Sequence, residues 1–204
     1  MSIQARLSKF PVPESEWQNH LLDQEINDRG IMLDRQIVKN AILLDSKTQV
    51  LLSEKMSNLT NVKNPNSVQQ IKQWLADNGT ETDSLGKKQV NELLKSVPEP
   101  LREVLFLRQQ FAKSSVKKYQ AMQNAVCKDG RVHGMFQFYG ANRTGRYAGR
   151  LVQMQNLPAN HLPDLAEARS LVRRGDYDTL QLLYEDIPDT LSQLIRTAFV
   201  AAVC

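Results

Sequence analysis

Arg143-Thr144-Gly145-Arg146-Tyr147-Ala148-Gly149-Arg150, followed at once by Leu151-Val152-Gln153-Met154-Gln155-Asn156-Leu157-Pro158, sets three arginines and three amide side chains around two glycines. Glycine lets a backbone approach a surface closely, and the planar fork of arginine matches phosphate oxygens or base acceptors. Gln153, Gln155 and Asn156 add donors of the length that reaches acceptors at base edges. If the segment is extended, alternation puts Gln153 and Gln155 on one side and Met154 and Asn156 on the other, so two amides face a duplex together. The competing reading is a polar turn whose amides satisfy their own backbone, and the side-chain pattern by itself does not separate the two.

The charge around this stretch favours a polyanion. Between Leu101 and Pro158 there are ten basic residues (Arg102, Arg108, Lys113, Lys117, Lys118, Lys128, Arg131, Arg143, Arg146, Arg150) against Glu103 and Asp129, a net +8. The whole chain is +4, so the remainder carries −4. A solvated helix face accounts for Arg102 and Arg108, but poorly for the three arginines of the stretch. Just upstream, Asp129-Gly130 predicts a turn into a strand from Arg131 to Tyr139, with Val132, Gly134, Phe136 and Phe138 alternating with His133, Met135, Gln137 and Tyr139. Phe136, Phe138 and Tyr139 read as core rather than base-stacking rings. His133 has no neighbouring Cys or Ser nucleophile and reads poorly as a base or metal ligand.

Further toward the N-terminus the pattern is helical. Pro11 and Pro13 precede a helix from Ser15, its N-cap candidate, to the stop signal Gly30, with Trp17, Leu21, Leu22 and Ile26 as its apolar stripe. Asp34 is placed to cap a second helix, roughly Arg35 to Asn58, with Ile37, Ala41, Leu44, Val50 and Leu51 inward. After Asn64-Pro65, Asn66 or Ser67 can cap a short helix that carries Lys72 and ends at Asn78-Gly79. A free helix start of this kind attracts phosphate, although an ordinary cap without ligand serves as well. Leu85 to Ser96 forms another helix, and one long helix is expected from Pro100 to about Val126, with Lys113, Ser114, Ser115, Lys117 and Lys118 in a basic turn and a half. Helices over Leu162 to Val172, Tyr177 to Tyr184 and Pro188 to Phe199 follow.

The order Thr-Gly-Arg, six residues, then Gln-Met-Gln-Asn-Leu-Pro resembles the segment of family A DNA polymerases, the class of bacterial DNA polymerase I, that holds the primer–template minor groove. Gly145-Arg146-Tyr147-Ala148-Gly149-Arg150-Leu151-Val152-Gln153, with Leu191-Ser192-Gln193-Leu194-Ile195-Arg196-Thr197-Ala198-Phe199 after it, is similar to the phage and prophage branch. The resemblance implies primer–template DNA as partner. Arg146 would reach the minor groove at the primer terminus, Gln155 and Asn156 the neighbouring nucleotides, and Gln153 stands where better-known members carry Asn. Arg143, Thr144 and Arg150 belong to the same grip; Lys113, Ser114, Lys117 and Lys118 would neutralise phosphates without reading sequence, and Asn66, Ser67 and Lys72 would meet the backbone at the thumb tip.

In the family, the block ending in Ala-Phe continues into a strand ending in a metal-binding aspartate. This chain stops at Cys204, so the resemblance implies that the catalytic carboxylates lie outside it, that no catalytic residue and no cofactor belongs to this portion, and that magnesium and deoxynucleotides belong to the full-length enzyme. Asp176-Tyr177-Asp178 imitates the missing motif, but Arg173-Arg174-Gly175 precedes it where an apolar strand should be, so Asp176 reads as a helix cap.

These readings converge on an α+β, predominantly helical chain: a linker over 1–12, a helical thumb region over 13–126, and over 127–204 the first part of a palm carrying the grip. The expected function is that of a DNA polymerase fragment in DNA replication. The rivals are a stand-alone nucleic-acid-binding module and an inactive remnant. At 204 residues and 41% apolar, with no apolar run of membrane length, the composition predicts a soluble cytoplasmic protein without a membrane partner. Cys127 and Cys204 lie far apart without metal-ligand spacing, which gives no support to a disulfide or zinc site.

Overall fold

The computed structural model describes residues 8–113 and 116–201. The chain is α+β and mainly helical, as the sequence predicts. Residues 1–7 of the expected linker, Ser114 and Ser115 of the basic cluster, and Cys204 lie outside the described residues.

Helix α1, Glu14–Arg29, starts one residue before Ser15. Pro13 occupies the cap position and no side chain caps the first turn, which corrects the assignment of Ser15. Gly30, at φ 63°, closes the helix as expected. The expected apolar stripe is also corrected: Trp17, Leu21 and Leu22 are at least half exposed, while Asp23 is buried. The cause is what α1 packs against. Its inner side meets strand edges rather than a hydrocarbon face, and Asn27 serves one directly, its Nδ2 donating to Phe136 O at 3.0 Å and its Oδ1 accepting from Phe136 N at 3.0 Å. A polar side chain thus takes the place of a neighbouring strand.

Strand β1, Ile31–Leu33, leads to Asp34, whose Oδ1 accepts from Ile37 N at 3.2 Å and starts α2, Arg35–Thr60. Ile37, Ala41, Leu44, Thr48, Leu52 and Met56 form its buried side. Val50 and Leu51 point outward instead, because the helical repeat carries the inward positions through 48, 52 and 56. Helices α3, Val68–Asp77, and α4, Lys87–Leu93, follow. The expected long helix is two, α5, Leu101–Phe111, and α6, Lys117–Ala125. The break lets α5 and α6 serve different cores: Leu101, Val104, Leu105 and Leu107 join one, and Val116, Tyr119 and Met122 the other.

The expected strand from Arg131 to Tyr139 is likewise divided. Strand β2, Arg131–Val132, pairs with β1, and β3, Phe136–Ala141, pairs with β4, Arg146–Gly149, in a separate hairpin. Gly134 turns the chain between them at φ 64°. Helices α7, Leu165–Arg174, α8, Tyr177–Leu183, and α9, Ile187–Leu194, precede a 3₁₀ turn over Ile195–Ala198 and strand β5, Phe199–Val200. Antiparallel β5 completes a three-stranded sheet in the order β2-β1-β5. Asp176 accepts from Thr179 N at 3.2 Å and caps α8, so it is a helix start and not a metal ligand motif.

Side chains gather in two hydrophobic cores. One draws on the start of α2, on α6, β2 and α7 to α9; the other joins the end of α2 to α3, α4 and α5. Helix α2 runs through both. Among the described residues, no helix is long and apolar enough to cross a membrane.

Candidate nucleic-acid interface

The β3–β4 hairpin carries the grip. Amides of Thr144 and Gly145 both donate to Ala141 O at 2.9 Å, closing a turn that lifts Asn142, Arg143 and Thr144 into solvent. Gly145, at φ 64°, reverses the chain into β4, where Arg146 stands opposite Ala141. Arg143, Arg146 and Arg150 are all exposed and have no ion-pair or hydrogen-bond partner among the described side chains. Three uncompensated guanidinium groups on one hairpin form the cationic edge that a polyanion requires.

The segment after β4 is not extended, which corrects the expected alternation. Gln153 is in the left-handed region at φ 53°, and Met154–Asn156 form a 3₁₀ turn. Gln153, Gln155 and Asn156 still emerge together, because the turn projects all three into solvent. Asn156 Nδ2 donates to Gln153 Oε1 at 3.4 Å, so part of the local-satisfaction reading holds. Gln155 lies across Gly149: a Cβ there would sit 2.0 Å from Gln155 Oε1, so a larger residue would displace the amide from this position. Buried Val152 and Leu157 anchor the segment from within. From the second motif block, Arg196 donates through Nη2 to Leu157 O at 3.0 Å and through Nε to Pro158 O at 3.2 Å. The two sequence blocks that carry the resemblance are therefore bonded to each other.

The lysines divide by role. Lys113 forms an ion pair with Asp189. Burial works against ionisation of that carboxyl, but hydrogen bonds from Lys113 and Gln193 outweigh it and hold Asp189 below the usual carboxylate range. Lys118 Nζ donates to Val152 O at 2.8 Å and braces the grip from behind. Lys117 is exposed and has no partner among the described residues. Lys113 lies beyond the end of α5 and Lys117 begins α6, so these two lysines of the basic cluster do not share a helix.

Asn66, Ser67 and Lys72 belong to the other core's side of the chain. Ser67 Oγ accepts from Gln70 N at 3.4 Å and caps α3, Asn66 is exposed, and Lys72 Nζ donates to Asp83 O at 3.0 Å. Asn66 lines a hollow with Val50 and Phe111, whereas Lys72 lines another with Val68 and Asp83. Sequence reasoning missed Tyr147, which is 43% exposed on β4 beside Asp23; partial burial, then that carboxylate, push its phenol up. It also placed Tyr139 in the core, whereas that ring is 52% exposed.

Among the described residues, no three His, Cys, Asp or Glu side chains converge on a point that could hold a metal ion. Over 200 residues, 98% of its length, the chain is 50% identical to a protein of Bacillus phage SP02 named DNA polymerase. It spans 31% of that protein's length. No protein-family model matches the chain.

Proposed function

We propose that this chain is a portion of a family A DNA polymerase of the phage and prophage branch, comprising the thumb over 13–126 and the first part of the palm over 127–204. Its work is to hold primer–template duplex through phosphates and the minor groove. The observation that carries this reading is the set of unpaired Arg143, Arg146 and Arg150 beside the exposed amides of Gln153, Gln155 and Asn156. The identity to a phage protein named DNA polymerase supports it.

Arg146 takes the leading part. Minor-groove acceptors at purine N3 and pyrimidine O2 occur in every correct pair, so a guanidinium reaching them senses pair shape and not sequence. Lys117 neutralises phosphate, while Lys113 and Lys118 hold the surface in place by their internal bonds. The exposed Asn66 at the start of α3, with Ser67 and Lys72, supplies a second backbone contact. Chemistry with magnesium and deoxynucleotides belongs to the longer protein, inside the host cell, and this portion orients the DNA for it.

Fluorescence anisotropy with a recessed primer–template, at two salt concentrations, tests the reading. Wild type is expected to bind and to weaken with salt, and Arg146→Ala to lose roughly 1–3 kcal/mol. Equal binding by the variant, or affinity indifferent to salt, would overturn it.

A further inference from the structure

Among the described residues, four that are not glycine have positive φ: Asn61, Tyr139, Leu151 and Gln153. Asn61 ends α2, where a left-handed residue is ordinary. The other three all lie in or beside the basic hairpin. Tyr139 is the bulkiest of them, at φ 53°, within a register shift between Gln137 and Ala141. A left-handed backbone is strained at a residue with a Cβ. Burial does not offset that strain, because the ring stays half exposed.

The distortion sets the ring at the hairpin tip. A Cβ on Gly145 would lie 2.9 Å from Tyr139 Cε2, so the ring rests on the backbone between Thr144 and Arg146. Half-buried Phe138 supports it from the side, with centroids 6.0 Å apart and planes at 64°. Phe138 meets Tyr147 in the same way, at 5.9 Å and 65°. Tyr139 and Tyr147 are thus braced edge-on by one ring and remain open to solvent. Arg143 and Arg146, exposed and unpaired, bracket the same turn. Asp23, whose charge acts on Tyr147, is itself buried.

We infer that Tyr139 and Tyr147 form a stacking platform for unpaired nucleobases, with Arg143 at the turn holding the phosphates of the same strand. This rests on the nucleic-acid reading above and adds a substrate class to it. A duplex offers only base edges, whereas an exposed ring beside a guanidinium suits a base outside the helix, such as one in a single-stranded tail. An apolar protein face would cover the rings but leave the arginine charges unmatched.

The test uses the chain with a recessed duplex whose single-stranded tail carries 2-aminopurine, and with a blunt duplex. Wild type and Tyr139→Phe are expected to quench the probe. Tyr139→Ala should abolish the quenching and weaken binding to the tailed duplex about five- to hundred-fold, with blunt-duplex binding unchanged. Tyr139→Gly removes the ring in a residue suited to this φ, and should behave as the alanine variant does. Retained quenching and affinity in both ring deletions, while Arg146→Ala weakens both DNAs, would sink the platform but leave the interface standing and make the rings a protein-facing surface. If wild type binds neither DNA, interface and platform fall together.

Discussion

Asp34 does more than its place in the sequence announces. Its Oδ1 caps α2, while Oδ2 takes Arg169 Nη2 at 2.8 Å and Arg173 Nε at 3.1 Å, tying α7 to the start of α2. The backbone N–H of the same residue donates to Ala198 O at 2.8 Å. The carboxylate is largely enclosed, but both arginines are partly exposed, so water screens part of the attraction. Asp34→Ala is expected to cost about 2–3 kcal/mol, and Asp34→Asn less, since the amide keeps a cap acceptor. Urea unfolding with an unchanged m-value measures this; an alanine variant as stable as wild type would mean that the arginines contribute nothing. The caps at Asp34, Ser67 and Asp176 were legible in sequence because each partner lies three residues ahead. The arginines on Asp34 were not, being more than a hundred residues away. Tyr139 was misread because alternation assumes a regular strand, and a bulge leaves no mark in residue type.

At the scale of elements, α1 is fastened at its C-terminal end. Asn27 holds β3, Arg131 Nη1 donates to Arg29 O at 3.2 Å, and His133 meets Asp28 O at 2.9 Å and Asp129 Oδ2 at 3.0 Å. The hydrogen bond to Asp129 raises the His133 pKa, and the Arg131 backbone N–H followed by His133 lowers that of Asp129. The contribution of His133 is therefore complete below about pH 6.5 and fades as pH rises through its raised value. That of Asp129 is present above about pH 4 and fades as pH falls through its lowered value. Hydrogen exchange at the Gly134 and Phe136 amides, corrected for intrinsic rates, should show the turn most protected between those limits and looser as pH rises through the raised His133 value. Protection that does not change across that range would break the link. Helix order was readable from apolar spacing and caps. The break between α5 and α6 was not, because apolar spacing continues across it and its cause is the need to supply two cores. The inverted face of α1 escaped for a similar reason: a stripe marks which side is apolar, not which side finds a partner.

For the whole molecule, the two cores differ in how far along the chain they reach. The core of α3 to α5 uses residues from Leu52 to Leu107, whereas the other gathers residues from Leu33 to Ala198. The division into two cores was hidden in the sequence because one uninterrupted helix, Arg35–Thr60, belongs to both. Its consequence is one of timing. Closing a short stretch of chain costs less entropy than closing a long one, so local contacts form first. During synthesis the C-terminal half of α2 can fold against α3 to α5 once residue 111 has emerged, while its N-terminal half waits for α7 to α9, the last of which ends at Leu194. Pulse-labelled hydrogen exchange during refolding should therefore protect Met56, Ile71 and Val104 amides before those of Ile37 and Ala41; simultaneous protection along α2 would show that the helix closes both cores in one step. The same helix would then be half old and half new, its later half finding the first already set.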